Sequence, residues 1–269
     1  MSENPFQGKP IAIGRTAEVF AGEEGQVIKL FRDWVPQDWV TYEFRVARLV
    51  HSTGLPVPAV LGNIQEFKNR QAICYERVDG VTMGELIVMQ PFSLFKNARL
   101  LGKLHCEMHS RKETSLPSQR RKLQNSIRNA NPLPEILKLA ALQSLEGFPD
   151  GDRVCHGDFH PGNIIMSPNG ATIIDWTDVS SGNPHADVAR TLLLIGGARL
   201  PLTSMIGWII RLFQKSILST YIRSYKQNSD LDVDQVKAWI PIMAAARLNE
   251  QIPEEEKRLL KIVRKEFNG

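Results

Sequence analysis

The sequence predicts an α+β fold: a small antiparallel sheet carrying one main helix over residues 1–79, then a larger, mostly helical lobe over residues 80–269. Two observations predict it. Short apolar runs punctuated by Gly14, Gly22 and Gly25 read as strands and turns near the start of the chain. After Gly80, apolar residues recur at helical spacing.

The first elements are IAIGRTAEVF and QVIKLF, two strands joined by the AGEEG turn. Pro36 suits the first turn of a helix, in which Trp39, Tyr42, Val46, Leu49 and Val50 line up until Gly54 and Pro56 end it. PAVLGNIQEF and QAICYERV follow as strands around the polar KNR turn. Beyond Gly80 the helical segments include MGELIVM, FKNARLLGKLHCEMH and PEILKLAALQSL. Between 150 and 180 the helical period gives way to two short apolar runs, IIM and ATIIDW, flanking SPNG, which reads as a loop and hairpin inside the helical lobe. The apolar stretch at 200–210 is too short for a membrane span and reads as core helix.

Composition narrows the function. A formal charge of +4 from 33 basic and 29 acidic residues is no clustered basic stripe, so a nucleic-acid partner is not expected. Cys74, Cys106 and Cys155 lack the paired spacing of a zinc site and read as reduced, buried thiols. The first ten residues hold no apolar signal core, so a cytoplasmic location and no membrane partner are expected.

Chemistry concentrates in HGDFHPGN at 156–163 and IIDW at 173–176. Phosphoryl transfer needs a carboxylate to orient and deprotonate the attacking hydroxyl, and hard oxygen ligands for Mg²⁺. Asp158, an Asn five residues later and an Asp ending an apolar strand supply these types at the spacing of a kinase catalytic loop and metal-binding Asp.

HGDFHPGN with IIDW resembles the aminoglycoside phosphotransferase and choline kinase superfamily, relatives of protein kinases, and the order of elements from about 11 to 200 fits it. The resemblance implies a protein-kinase-like bilobal fold, Asp158 as catalytic base, and Asn163 and Asp175 as Mg²⁺ ligands. It implies ATP as phosphate donor, with GTP left open, and a small-molecule hydroxyl as acceptor. VIKL resembles the kinase strand whose lysine meets the nucleotide phosphates, which makes Lys29 and Glu43 a candidate pair. IGRTAEVF resembles the phosphate-covering loop, with Gly14 and Val19 in cofactor-binding positions, although it keeps only one glycine. The strand ending at Glu76 and Val78 takes the place of the adenine-binding hinge. Asp187, in GNPHADVAR, is expected to cap its helix or to brace the catalytic loop through backbone amides. His156 and His160 are read as loop braces, and the HCEMH pair, His105 and His109, as packing, since similar patterns occur in the superfamily without metal.

Known acceptors in the superfamily range over aminoglycosides, amino alcohols and sugars. Asp178 and Glu250 are candidate acceptor residues, and the basic segment at 111–122 reads as a solvated loop, with a lid or a segment that binds an anionic substrate as the alternative. Two alternatives remain. A catalytically silent nucleotide-binding module has against it the presence of Lys29, Asp158, Asn163 and Asp175. A protein kinase has against it the lack of an APE-like segment after IIDW.

Overall fold

The structure, a computed structural model, describes residues 7–23, 25–197 and 205–267. In chain order it contains β1 (Gln7–Ile13), β2 (Ala17–Ala21), β3 (Gln26–Phe31), α1 (Gln37–Ser52), β4 (Val60–Phe67), β5 (Arg70–Glu76), β6 (Val81–Thr82), α2 (Met83–Met89), α3 (Leu94–Ser110), α4 (Gln119–Arg128) and α5 (Glu135–Glu146). There follow β7 (Arg153–Cys155), β8 (Ile164–Ser167), β9 (Gly170–Ile173), β10 (Ser180–Gly182), α6 (Pro184–Gly197), α7 (Met205–Lys226), α8 (Val233–Arg247) and α9 (Pro253–Phe267). The chain divides into two compact units, Met1–Met83 with Gly162–Thr177 and Gly84–Pro161 with Asp178–Gly269.

The first unit is built on a five-stranded antiparallel sheet of order β1-β2-β3-β5-β4. Alternation along β3 sends Ile28 and Leu30 to one face, where they pack with Ala72 and Cys74. It sends Lys29 and Phe31 to the other, where Phe31 packs with Ala17, Ile73 and Val40 of α1. Helix α1 buries Val40, Glu43, Val46, Ala47 and Val50, a stripe at helical period whose one charged member is Glu43. Burying a side chain such as Ile73 contributes about 2 kcal/mol. The β8–β9 hairpin joins this unit because β6 pairs with β8.

In the second unit α3 packs on α7, α6 on α8, and α8 on α9. A two-stranded ribbon, β7 with β10, leads directly into the loop at 156–163. Among the described residues no helix is long and apolar enough to cross a membrane, and the three cysteines are buried and free.

Three features depart from the sequence-based expectation. The first long strand is broken at Gly14, whose amide bonds the Ala17 carbonyl at 2.8 Å, so it forms two paired strands, β1 and β2. The basic segment is not wholly a solvated loop: Ser118 caps α4, which starts at Gln119 and buries Leu123 and Ile127. The hairpin at 164–173 counts with the sheet unit and not with the helices around it in sequence. Of the apolar stretch at 200–210, residues 200–204 lie outside the described residues, and α7 begins at Met205. Residues 1–6 of the segment read for export signals, and residue 24 of the AGEEG turn, also lie outside them.

Candidate active site

In the first unit, Lys29 Nζ lies 2.7 Å from Glu43 Oε1. Strand alternation aims Lys29 at α1, and the α1 stripe aims Glu43 back. The Tyr75 hydroxyl donates to the same Glu43 oxygen at 3.0 Å. Burial, then the charge of Glu43, its hydrogen bond and the charge of Asp175, push the Tyr75 phenol well above its ordinary range, so Tyr75 remains a neutral donor. Val19 of β2 stands opposite Lys29 in the ladder. The turn at Gly14 is braced by the Arg32 guanidinium, which donates to the carbonyls of Arg15 and Gly14 at 3.1 and 3.3 Å.

Asn163 and Asp175 share one end of the β8–β9 hairpin. The Ile174 amide donates to the Asn163 carbonyl at 3.0 Å, so the two residues flank the last bond of that ladder. Asn163 is buried and Asp175 exposed. Asp175 adopts φ 63°, a left-handed conformation that Asp tolerates better than most residues but at some cost. Thr177 Oγ1 donates to its Oδ1 at 3.1 Å, and the neighbouring Trp176 indole donates to the Ile173 carbonyl at 3.1 Å. After β5, the Glu76 amide is bonded to the Ala59 carbonyl at 2.8 Å and the Arg77 amide to the Gly25 carbonyl at 2.9 Å.

Asp158 belongs to the second unit. Gly157 before it has φ +79°, and a Cβ there would stand 2.6 Å from the Asp178 carbonyl oxygen, so only glycine fits. The surrounding backbone is gripped from α6. Asp187 accepts the amides of His156 at 2.7 Å and Gly157 at 2.8 Å, Arg190 Nε donates to the Gly157 carbonyl at 2.9 Å, and Thr191 Oγ1 donates to the Phe159 carbonyl at 3.0 Å. The Asp158 amide itself donates to His156 Nδ1 at 3.2 Å. Burial alone would raise the Asp158 carboxyl. The His160 imidazole 3.4 Å away, with Arg190 and His156, outweighs burial and holds the carboxyl down at about 2.

These residues sit within a stretch of chain with known relatives. A sequence profile of the phosphotransferase enzyme family matches residues 7–214. The chain belongs to that family. No curated protein matches it significantly in sequence. Among solved structures, amicoumacin kinase hAmiN in complex with AMP-PNP, Ca²⁺ and Ami is similar at 15% identity and TM-score 0.65, over 97% of this chain and 89% of that one. An aminoglycoside-3'-phosphotransferase of type VIII is similar at 15% identity and TM-score 0.64, over 91% and 94%. A thermostable mutant of aminoglycoside phosphotransferase APH(4)-Ia follows at 16% and 0.62, over 96% and 92%. At such identities the likeness establishes the fold, a kinase-like α+β architecture with a small antiparallel sheet and a larger helical part.

In this phosphotransferase-family chain the two candidate acceptor carboxylates are already engaged. Glu250 binds Arg190 through Oε1 and Arg247 through Oε2, the latter at 2.8 Å. Arg247 also forks onto both oxygens of Glu255 at 2.6 and 2.7 Å. Asp178 lies 3.7 Å from Lys122 Nζ, whose pKa burial lowers against the opposing pull of Asp178. Sequence reasoning had not singled out Arg190, Arg247, Tyr75 or Arg32. Arg190 sits one turn beyond Asp187 on the same helix, a spacing that places both on the loop-facing side.

Proposed function

We propose that the chain is an ATP-dependent phosphotransferase that moves the γ-phosphate to a hydroxyl of a small molecule. The observation that carries this reading is the Lys29–Glu43 ion pair, supported by the Tyr75 hydroxyl, on the same unit as Asn163 and the exposed Asp175. A lysine held by a buried carboxylate, with an exposed carboxylate elsewhere on the same unit, supplies the group types that a nucleoside triphosphate and its metal require.

The residues present fit a divalent ion. Asp175 offers an exposed carboxylate that accepts from the Thr177 hydroxyl, and Asn163 adds a neutral oxygen, a donor set suited to Mg²⁺ with waters and phosphates. A Mg²⁺ ion held by Asp175 and Asn163 would offset the negative charge that develops on the phosphate oxygens in transfer. The chain's own groups do the rest. Lys29, oriented by Glu43, neutralises phosphate oxygens; the turn at Gly14, braced by Arg32, covers them; Val19 and Val78 contact the base. Asp158 orients the acceptor hydroxyl and takes its proton late, since a carboxylate near 2 is a weak base in the ground state and is ionised at any working pH.

For the acceptor, the acidic side chains around the catalytic loop are matched by bases: Asp178 by Lys122, Glu250 by Arg190 and Arg247, and Glu255 by Arg247 and Arg258. Such a face gives a polycation little net attraction, which favours a neutral or singly charged alcohol, such as a sugar or amino alcohol, over a polycationic aminoglycoside. Hygromycin B and amicoumacin are bound by the structural relatives and belong in the same screen. The test is an ATP-consumption assay across sugars, amino alcohols, nucleosides and aminoglycosides. Acceptor-dependent consumption abolished by Asp158→Asn is the expected result. Consumption that survives this substitution would overturn the assignment.

A further inference from the structure

Beneath the catalytic loop, in the core of the second unit, lies a cluster that the proposed reaction does not use directly. His105 and His109 are one turn apart on α3, Tyr221 and Tyr225 one turn apart on α7, and all four converge on Asp187. His105 Nε2 lies 3.1 Å and His109 Nε2 3.2 Å from the same Asp187 oxygen, Oδ2. The Nδ1 atoms lie 2.6 Å from the hydroxyls of Tyr221 and Tyr225 respectively. His105, Tyr221 and Asp187 are essentially without exposure, and the His105 ring stacks on Phe159 at 4.2 Å.

Protons can be assigned by satisfying every atom. Burial would raise the Asp187 carboxyl, but its histidine partners hold it well below the usual range, so it is an ionised acceptor. Both Nε2 atoms must therefore donate. Burial, with His109 beside it, lowers His105 to about 3, so its ring is neutral and Nδ1 accepts from the Tyr221 hydroxyl. Burial keeps that phenol protonated. The Asp187 carboxylate then receives four donors: the two imidazoles and the amides of His156 and Gly157.

The same three side chains have ligand atoms within 4.8 Å of one another and could be taken for a metal site. Charge argues against it. A divalent ion would leave a net positive charge in a fully buried place holding one carboxylate, and would require both Nε2 atoms to lose their protons. As a hydrogen-bond network the cluster is already complete.

We propose that His105 and Tyr221, together with His109 and Tyr225, are positioning residues for Asp158: two hydrogen-bonded arms run from α7 through α3 and fix the Asp187 carboxylate where it pins the His156 and Gly157 amides. Gly102 makes the arms short enough. A Cβ there would meet the Tyr221 carbonyl oxygen at 2.4 Å, so its absence lets α3 and α7 approach closely. The inference rests on reading Asp158 as catalytic, but part of its test does not.

The test uses the full ¹⁵N-labelled chain. In the wild type, His105 carries its proton on Nε2 by long-range ¹H–¹⁵N correlation at pH 7, and elemental analysis finds no stoichiometric metal. Tyr221→Phe, which removes one hydroxyl and little volume, speeds exchange of the His156 and Gly157 amides about tenfold, the scale of one lost hydrogen bond, and leaves β3 and β5 amides unchanged. It lowers kcat by a similar factor at an unchanged KM for ATP. His105→Gln, which can still donate to Asp187, recovers part of what His105→Ala loses. A His105 protonated on Nδ1, one bound metal per chain, or wild-type exchange of the two amides in Tyr221→Phe would overturn the proposal. Should the wild type phosphorylate no acceptor, the kinase reading fails while the exchange and tautomer results still decide this one.

Discussion

Lys29 and Asp158 are held in contrasting ways. In the first unit the candidate groups are held through side chains: Lys29 by an ion pair with Glu43 that Tyr75 supports, and an exposed Asp175, in a left-handed conformation, by the Thr177 hydroxyl. In the second unit Asp158 itself is partly exposed, but the backbone on both sides of it is pinned by Asp187, Arg190 and Thr191, with a buried histidine and tyrosine layer behind. The difference matches the tasks proposed for each. Phosphates and a metal bring their own charge and ordering, so their ligands can stay open. A group that must meet a hydroxyl at one angle needs its backbone fixed before the substrate arrives.

The sharpest way to break this contrast is Asp158→Asn. If the second unit orients the hydroxyl and the first unit holds the nucleotide, turnover should fall by roughly 10²- to 10⁴-fold, with Mg·ATP affinity nearly unchanged by calorimetry. A parallel loss of nucleotide affinity would mean that the two tasks are not divided this way.

Next in size is Gly157→Ala. It forces a Cβ against the Asp178 carbonyl at 2.6 Å in a backbone with φ +79°, and should lower stability by about 2–3 kcal/mol in urea denaturation. A neutral result would show that the catalytic-loop backbone is less constrained than its hydrogen bonds imply. In the first unit the mirror experiment is Asp175→Gly. Glycine accepts φ 63° without strain, so the apo chain should lose no stability and gain up to about 1 kcal/mol. The magnesium-dependent part of ATP's thermal stabilisation should disappear. An unchanged magnesium effect would remove Asp175 from the metal site.

Acid titration sharpens the comparison from the electrostatic side. The Asp158 carboxyl is depressed from 3.8 to about 2. A depressed carboxyl adds stability that is fully present above its unfolded pKa and is lost as pH falls through the folded one. His160→Ala removes the main source of that depression. The variant should therefore be less stable than wild type by about 1 kcal/mol near pH 5, and the gap should close as pH falls from 4 toward 2. A gap that widens on acidification would contradict the pairing of His160 with Asp158.

What could be read from the sequence was local. Period-2 alternation located β3, β4 and β5, and the existence of α1 was visible, but of the residues read as its apolar stripe only Val46 and Val50 are buried, while Trp39 is exposed and Val40, Glu43 and Ala47 take its place. The loop at 156–163 and its companion Asp175 stood out because side-chain types recur there at a fixed spacing. What escaped was non-local or masked by polarity. The basic run at 119–122 hid α4, whose helix formers and buried Leu123 and Ile127 were outweighed by charge. Nothing near Tyr221 in sequence announces that its hydroxyl meets His105, a residue 116 positions away. The tyrosine pair at 221 and 225 does share the one-turn spacing of the histidine pair at 105 and 109, and that match is the signal that could have linked the two helices.

The smallest expected effect concerns Asp178, and it separates the acceptor from the machinery that moves the phosphate. Its carbonyl lies against Gly157, while its carboxylate is half-exposed and only loosely paired with Lys122 at 3.7 Å. Removing the carboxylate leaves the backbone contact intact and costs little stability, because the Asp178 side chain is half-exposed and its separation from the partly buried Lys122 is long for an ion pair. Glu250 is less suitable for this purpose, since its loss would leave Arg190 and Arg247 buried beside an empty position. Once an acceptor is known, Asp178→Ala should raise its KM about threefold, with the KM for ATP and the melting temperature unchanged. If the KM for ATP moves instead, Asp178 acts on the nucleotide, and acceptor recognition must be sought on other groups of the helical unit.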